Sequence, residues 1–212
     1  MFKQTLFPDT FRAIQLTSQI PVIQRAYLAG GTALALQIGH RMSVDLDFFT
    51  QEVFDENMLG ADLKRFSEFK LGQKAWRTIM GHIGETAFSL FYYEYPMLDK
   101  TESFEGIHLA GKKDIAAMKM HALADRGTKR DFIDMYFLAK EYSLDKILEF
   151  YDLKYGNLKE QFYHIVRALD YFADAEHEER SLQMLINVDW EEVKKFFETE
   201  AKRLARERLG IS

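Results

Sequence analysis

Two aspartates alternate with apolar residues in the run at positions 44–49. Because successive side chains of a strand point to opposite faces, Asp45 and Asp47 are predicted to share one face while the residues between them face the core. Aspartate is depleted in strands, and two carboxylates about 7 Å apart along a strand repel each other unless a cation lies between them. A divalent cation that also binds triphosphate oxygens meets this need. The run therefore predicts a metal site on a strand, and the alternative is a solvated strand edge.

A glycine pair precedes this run. Residues 26–29 are predicted to form a short strand, and a helix is predicted from residue 32, directly after Gly30 and Gly31. Glycine lets the backbone turn sharply and approach a ligand closely, and the N-terminus of the following helix favours a phosphate. Gly30, Gly31 and Thr32 are therefore predicted to bind a nucleotide, with a tight structural turn as the alternative. The turn lacks the Gly-Lys-Ser/Thr of a Walker loop and the third glycine of the dinucleotide fingerprint.

The order of these two features resembles that of a known family. Thirteen residues separate Gly31 from Asp45. A strand, Gly-Gly, a short helix and an Asp-x-Asp strand resemble the signature of the polymerase-β nucleotidyltransferase superfamily. The strings at residues 30–36 and 41–49 are more narrowly similar to the AbiEii/AbiGii toxins of bacterial toxin–antitoxin and abortive-infection systems. The resemblance implies Mg²⁺ (or Mn²⁺) as cofactor, bound by Asp45 and Asp47, and an NTP as substrate.

A second constellation, at residues 119–136, also resembles that family, with a lysine, an arginine and an Arg-Asp-x-x-Asp element. Lys119 and Arg126 are seven positions apart, so one helix would place them on one face, where they are predicted to neutralise charge on a leaving pyrophosphate. Asp131 and Asp134 are predicted to orient these cations or to act as a base. The alternatives are a helix cap at Asp131 and a solvated Lys119. The nucleotide-binding candidates of this region are Arg126 and Lys129.

Three further positions bear on the predicted site. Arg41 and Ser43 come just before the aspartate strand and are predicted to contact the nucleotide, with an ordinary ion pair as the alternative for Arg41. Enzymes of the superfamily commonly use a third carboxylate on a neighbouring strand, and the aligned position here is Ser89. Serine is not a charged metal ligand, so the third ligand is absent or comes from elsewhere, such as Asp131 or Asp134. This departure leaves open a weak or inactive enzyme.

Hydrophobic patterning changes near residue 110, from glycines and β-rich runs among helices to an almost wholly helical pattern. The predicted fold class is therefore α+β: a polymerase-β-like nucleotidyltransferase lobe with a small mixed sheet, then a helical C-terminal lobe. The predicted lobes are residues 1–110 and 111–212, the second contributing to the same site. The predicted helices span residues 9–24, 32–38, 54–69, 113–125, 144–155, 158–172 and 190–209, with another opened by a capping box at 128–131. The predicted strands span residues 26–29, 44–49, 75–80, 86–95 and 107–109.

Composition narrows the function classes. The 212 residues include no cysteine and carry a formal net charge of −5. Disulfides, thiolate zinc sites and cysteine nucleophiles are therefore excluded, and a protein that coats nucleic acid is disfavoured. Any nucleic-acid contact is predicted to use a local cluster at residues 112–130, which contains six basic and two acidic residues. No apolar stretch is long enough to span a bilayer and no signal-peptide core is evident, so we expect a cytoplasmic protein without a membrane partner.

These features predict the transfer of a nucleoside monophosphate from an NTP to a hydroxyl. The resemblance implies RNA, particularly tRNA, or a protein as acceptor, a role as a toxin, and a cognate antitoxin as partner. One alternative is a catalytically inactive protein of the same fold that binds an antitoxin or nucleic acid, and Ser89 favours it. The other is a glycosyltransferase, which also uses Asp-x-Asp but needs a larger nucleotide-binding sheet than residues 26–49 supply.

Overall fold

The computed structural model describes residues 1–178 and 181–210. Contacts within the chain divide it into two units, Met1–Gly111 and Lys112–Ser212. The first unit contains a seven-stranded mixed sheet together with helices, and the second, in its described part, is built from helices. This arrangement confirms the predicted α+β fold class.

The first unit opens with a short 3₁₀ helix at Lys3–Thr5, mixes helices and strands up to Leu63, and continues with strands alone. The helices are α1 (Pro8–Thr17), α2 (Pro21–Arg25), α3 (Gly30–Ile38) and α4 (Glu56–Leu63). The strands are β1 (Tyr27–Leu28), β2 (Leu46–Thr50), β3 (Phe69–Ala75), β4 (Thr78–Ile83), β5 (Thr86–Tyr92), β6 (Glu102–Phe104) and β7 (Ile107–Leu109).

The strand that follows Asp45 and contains Asp47 lies at the centre of the sheet. The strand order is β3-β4-β5-β2-β1-β7-β6. β2 runs antiparallel to β1 and parallel to β5. In this register Asp47 lies opposite Ser89, and Phe48 lies opposite Leu28. Because β2 is paired on both edges, the position of Asp47 is fixed by the sheet.

Apolar residues on one face of β2 anchor the strand. Leu46 and Phe48 are fully buried, whereas Asp47 between them is half-buried. The Phe48 ring contacts the Phe88 ring of β5, with centroids 5.8 Å apart. The neighbouring helix α3 is buried along residues 32–36. Fully burying a large apolar side chain stabilises a fold by roughly 1.5–3 kcal/mol, which offsets the cost of placing a carboxylate within the strand.

Several predicted boundaries in the first unit are wrong. The helix predicted over residues 9–24 divides into α1 and α2, because Pro21 cannot continue a helix but is well suited to begin one. The strand predicted over residues 44–49 begins only at Leu46, so Asp45 lies immediately before β2 rather than within it. Alternation of polar and apolar residues therefore extends beyond the strand itself.

The region after α4 contains a strand that the sequence did not indicate. The helix predicted over residues 54–69 ends at Leu63, and β3 follows from Phe69. Residues 70–75 are all exposed, so β3 lacks the polar–apolar alternation of a half-buried strand. The strands predicted over residues 75–80 and 86–95 correspond to β4 and β5, which pair as an antiparallel hairpin, and the strand predicted over residues 107–109 coincides with β7.

The described part of the second unit consists mainly of helices. They are α5 (Lys112–Arg126), α6 (Lys129–Glu141), α7 (Leu144–Tyr155), α8 (Leu158–Leu169), α9 (Ala173–Glu176) and α10 (Trp190–Leu204), the last continued by a π-helical turn at Ala205–Leu209. All but α9 were predicted. Among the described residues, no helix combines the length and apolar character that crossing a bilayer requires.

The core of the second unit combines aromatic rings with buried charge. The Phe132 ring lies 4.9 Å from the Phe172 ring and 5.2 Å from the Phe197 ring, measured between centroids. Lys154 on α7 and Asp114 on α5 form a fully buried ion pair of 2.7 Å. The helices are thus held by packing and by fixed polar contacts together.

Candidate active site

The turn between β1 and α3 brings a glycine against an aspartate. Gly30, the first residue of α3, has a φ of +67°, which glycine adopts without strain. A Cβ added at Gly30 would lie 3.2 Å from Asp47 Oδ2. The Ala29 N–H donates to the Asp47 carbonyl at 3.0 Å, which joins the turn to β2. The N-terminus of α3 therefore lies beside the Asp47 carboxylate.

The second glycine leaves room for an arginine. A Cβ added at Gly31 would overlap Nη2 of the Arg41 guanidinium. Arg41 is only 4 % exposed, and its Nη1 donates to the Met42 carbonyl at 3.0 Å. Each glycine of the turn is thus closely approached by a charged group, a carboxylate at Gly30 and a guanidinium at Gly31. Arg41 is held at the first turn of α3.

The hydroxyls of Thr32 and Ser43 hold the segment that leads into β2. Thr32 Oγ1 lies 2.8 Å from Ser43 Oγ and also donates to the Asp45 carbonyl. The Ser43 N–H donates to the Thr5 carbonyl at 3.0 Å. Both hydroxyls are buried within these contacts. The geometry therefore gives Thr32 and Ser43 a positioning role towards Asp45, and their predicted contact with a nucleotide stays a prediction.

The two aspartates lie at the start of the central strand. Asp45 and Asp47 are both half-buried, in contrast to the fully buried Leu46 between them. Ser89, at the paired position of β5, donates from Oγ to Asp47 Oδ1 at 2.7 Å. One carboxylate oxygen of Asp47 is therefore bonded to β5 and the other lies beside Gly30.

Asp45 and Asp47 offer carboxylate oxygens, the ligand type that a divalent cation bound together with a phosphate prefers. Within residues 1–178 and 181–210, no group of three or more acidic or histidine side chains is placed to hold a metal ion. Mg²⁺ is commonly held by one or two carboxylates, water and substrate phosphates, rather than by an all-protein cage. Glu85 and Glu94, outside β5, are exposed, so neither supplies a buried carboxylate beside Asp47.

A second polar cluster lies between α5 and α6. Lys119 Nζ is 3.0 Å from Asp131 Oδ1 and 2.6 Å from Asp134 Oδ2. The Lys119 side chain is 6 % exposed, and both carboxylates are fully buried. Arg126, whose side chain is 51 % exposed, donates to Asp131 from Nε at 2.8 Å and from Nη2 at 3.1 Å. Of the two cations, Arg126 is therefore the one that a solvent-borne anion reaches.

The capping box predicted at residues 128–131 is not formed. Thr128 is the N-cap of α6, but its side chain accepts no hydrogen bond from the helix. Instead its hydroxyl donates to Asp131 Oδ2 at 2.6 Å. The reason is the charge of Asp131, because a hydroxyl forms a stronger hydrogen bond to a buried carboxylate than to a neutral group. Asp131 thus joins the cluster rather than capping the helix.

Electrostatics argue against Asp131 as a base. Burial raises the pKa of its carboxyl, but Lys119 and Arg126 outweigh burial and hold the pKa well below its usual range. A carboxylate that is so strongly ionised takes up protons poorly. Of the two roles predicted for Asp131, orientation of the cations is therefore the one that this geometry favours, and Asp134 has the same partner in Lys119.

Comparison with protein families identifies the chain. The family model described as nucleotidyl transferase AbiEii toxin, Type IV TA system, matches residues 15–78 and 94–207. The chain belongs to this AbiEii family. A protein of Aquifex aeolicus described as uncharacterised is 36 % identical over 196 residues, which cover 90 % of this chain and 93 % of the relative. The family predicted from the sequence, and with it a nucleotidyltransferase enzyme of a toxin–antitoxin system, is confirmed.

Solved structures share the fold of this AbiEii-family chain. MenT4, a nucleotidyltransferase toxin of Mycobacterium tuberculosis, matches with a TM-score of 0.56 and 16 % identity, over 92 % of this chain and 86 % of that one. JHP933 of Helicobacter pylori matches with a TM-score of 0.51 and 20 % identity, over 93 % and 89 %. The antibiotic-resistance factor ANT(2″)-Ia matches with a TM-score of 0.51 and 13 % identity, over 73 % and 99 %. At these identities the likeness concerns the fold alone.

The basic cluster predicted for nucleic-acid contact is largely engaged within the AbiEii-family chain. The Lys129 N–H donates to Glu178 at 2.9 Å, and its ammonium lies 5.0 Å from the centre of the Trp190 ring. Lys112 is paired with Glu141, and Lys119 with two aspartates. Lys129 is thus turned towards its own helical unit, and its predicted nucleotide contact stays a prediction.

Sequence reasoning missed the partners that hold the predicted residues in place. Ser89 was recognised as the aligned position of a third acid, but not as a donor to Asp47. Thr5 was not recognised at all, because a backbone carbonyl that receives the Ser43 N–H has no signal in the sequence. The pairing of strands β2 and β5 would have revealed the role of Ser89.

The Gly31→Ala variant is expected to unfold more easily than the wild type, by about 1–3 kcal/mol, because its Cβ overlaps the Arg41 guanidinium. Urea unfolding measures this difference. The matched control is Gly60→Ala on α4, whose Cβ would meet Ile79 Cδ1 at an ordinary 3.7 Å. Equal stability of the two variants would contradict the close packing of Arg41 on Gly31.

Acidification tests the Asp131 network. A carboxyl with a lowered folded-state pKa adds stability above its unfolded-state pKa, and this stability is lost as the pH falls below about 4. The difference in free energy of unfolding between wild type and Asp131→Asn should therefore be largest near neutral pH and shrink below pH 4. Urea unfolding over this range measures it, with the exposed Asp125→Asn as control. A difference that stays constant with pH would show that Asp131 is not preferentially ionised in the fold.

Proposed function

We propose that this chain transfers a nucleoside monophosphate from an NTP to a hydroxyl, with Mg²⁺ (or Mn²⁺) held by Asp45 and Asp47. The observation that carries the proposal is the contact of the Asp47 carboxylate with the glycine turn at the start of α3, where a Cβ at Gly30 would be 3.2 Å from Asp47 Oδ2. A phosphate site and a cation site are thereby neighbours within one unit.

The N-terminus of α3 supplies the phosphate side of this arrangement. Its free backbone N–H groups and the positive end of the helix dipole attract an anion, and the glycines allow it to approach the backbone. Arg41, packed against Gly31, adds a fixed positive charge at the same turn. These groups suit the binding of triphosphate oxygens in a defined orientation. Direct contacts of Thr32 and Ser43 with the nucleotide belong to the same proposal.

The aspartates supply the cation side. A divalent cation, when bound, neutralises phosphate charge and makes the phosphorus easier to attack. Asp45 and Asp47 are proposed to hold it from the protein side. β2, whose apolar residues Leu46 and Phe48 are buried, fixes the position of Asp47, and Asp45 comes immediately before this strand. The proton of the attacking hydroxyl passes to an aspartate carboxylate in this proposal, as general base catalysis requires.

The second unit contains cations that suit a phosphate, and Arg126 and Lys119 are proposed to bind triphosphate charge. Arg126 is half-exposed and oriented by two hydrogen bonds to Asp131, as a phosphate-binding guanidinium needs to be. Lys119 is enclosed by two carboxylates and is proposed to act mainly by its charge. Asp131 and Asp134 orient both, and Lys129 is a weaker candidate because its ammonium lies over Trp190.

The toxin family implies a cognate antitoxin and an NTP substrate. We propose that the acceptor is an RNA, such as tRNA, or a protein, and that the reaction takes place in the cytoplasm, where these substrates are found. Ser89 in place of a third carboxylate is the observation that favours the second candidate, an inactive protein of this fold that binds a partner. The structure adds nothing in favour of a glycosyltransferase.

Isothermal titration with non-hydrolysable NTPs and Mg²⁺ tests the aspartate site. Wild type should bind one of the NTPs only when Mg²⁺ is present. Asp45→Asn and Asp47→Asn should each weaken this binding by more than the roughly 10–100-fold typical of an outer partner of a metal ligand. Asp174→Asn, an exposed aspartate on α9, is the control. If the folded wild type binds no NTP, the result would favour the second candidate, an inactive protein that binds a partner.

Labelling with each α-³²P NTP, using purified tRNA or a protein extract as acceptor, tests the second unit. Arg126→Ala should lower the labelling rate by about 10²–10³-fold, as loss of one charge-stabilising donor does, while the affinity for the Mg²⁺–NTP analogue changes less. Arg167→Ala, an exposed arginine on α8, should leave the rate unchanged. Similar rates for the two variants would restrict Arg126 to pairing with Asp131.

A further inference from the structure

Ser89 is the polar residue of β5 that lies directly beside the proposed cation site. It is the register partner of Asp47 on the neighbouring parallel strand. Its Oγ donates to Asp47 Oδ1 at 2.7 Å, and the residue is only 4 % exposed. A serine here was expected from the sequence to be a missing ligand. In the fold it is a bound donor.

We propose that Ser89 is a positioning residue for Asp47, and that a neutral donor at this position makes the site take up a divalent cation only together with a triphosphate. The inference rests on the proposed function, since it assigns Asp45 and Asp47 to the cation. It concerns whether the site binds a cation with or without a nucleotide, and the assignment of the two aspartates alone does not determine this.

The hydrogen bond restricts the Asp47 side chain. A hydroxyl that donates to a carboxylate forms a strong, charge-assisted bond. With Oδ1 held by Ser89, the position of Oδ2 follows, and it lies beside Gly30 at the start of α3. One oxygen is thus engaged with β5 while the other is directed to the turn proposed to bind phosphate. Outer partners of this kind commonly change metal affinity by about 10–100-fold.

The charge at position 89 sets how strongly the protein binds a cation by itself. A carboxylate in place of the Ser89 hydroxyl would lie next to Asp47, and two such anions disfavour each other unless a cation is bound between them. Serine removes that charge and supplies a proton instead. Asp45 and Asp47 alone leave most of the coordination of a small, strongly hydrated cation to water or phosphate oxygens. The cation is therefore expected to be retained when the nucleotide brings its own phosphate ligands.

A purely structural role for Ser89 predicts different results. If the hydroxyl only satisfies a buried polar position, its loss changes stability and leaves cation affinity alone. The two roles separate when cation binding and unfolding are measured on the same variants. Four variants serve this purpose: Ser89→Ala, Ser89→Thr, Ser89→Asp and, as control, Ser103→Ala on the distant edge strand β6.

The first measurement is a Mn²⁺ titration of each full-length variant by electron paramagnetic resonance, without nucleotide. Wild type, Ser89→Ala and Ser103→Ala should bind Mn²⁺ weakly. Ser89→Asp should bind it about tenfold more tightly or better, because a third carboxylate joins the site. Thermal unfolding with and without Mn²⁺ accompanies the titration, and Ser89→Asp should be stabilised by Mn²⁺ more than the wild type is.

The second measurement is isothermal titration with a non-hydrolysable NTP and Mg²⁺. Ser89→Ala should bind the pair about tenfold more weakly, and Ser89→Thr, which keeps the hydroxyl, should recover most of the affinity. If Ser89→Ala binds as wild type does and Ser89→Asp gains no Mn²⁺ affinity, the proposal is overturned. A wild type that binds no NTP would refute the proposed function instead. In that case the Mn²⁺ affinity of Ser89→Asp would still show whether a side chain at position 89 lies close enough to Asp47 to bind the same cation.

Discussion

The carboxylate of Asp47 has a defined place because the strand that carries it is held from three directions. Its apolar neighbours Leu46 and Phe48 are buried on one face. The strand is paired on both edges, with β1 and with β5. Ser89 then fixes one carboxylate oxygen and Gly30 meets the other. Without the buried face, a charged residue in a central strand would be costly; with it, the charge is presented at a fixed position.

Buried charge plays a comparable part in the helical unit. Lys119 is enclosed by Asp131 and Asp134, and Arg126 forms two bonds to Asp131. Breaking such a buried network by removing one partner is far more costly than losing a surface pair. The arrangement therefore limits the positions that Arg126 adopts while leaving its side chain half-exposed. A cation that is both oriented and accessible is what an anionic ligand requires.

The sequence predicted most where local pattern and local geometry coincide. The aspartates, the glycine turn and the helix behind it were recognised because alternation and glycine have direct structural meanings. The strand β3 was missed, since a strand exposed on both faces has no alternation to detect. The bond from Ser89 to Asp47 could not be predicted, because it joins two strands whose pairing the chain does not state. The contact of Lys119 with Asp131 and Asp134 was predicted as one of two roles for these carboxylates. The chemical roles of the site residues are proposed from the geometry of the fold.

The connection between α3 and β2 is anchored at four positions that the structure describes. Gly39 takes a left-handed φ of +72° against the Phe2 ring, Arg41 packs on Gly31, the Ser43 N–H bonds to Thr5, and the Asp45 carbonyl accepts from Thr32. Inserting or deleting one residue would move these contacts out of register and displace the start of β2 relative to the glycine turn. Relatives should therefore differ freely in the half-buried side chains at Met42 and Val44 while keeping the number of residues constant. Evolution at this site is constrained by length more than by composition.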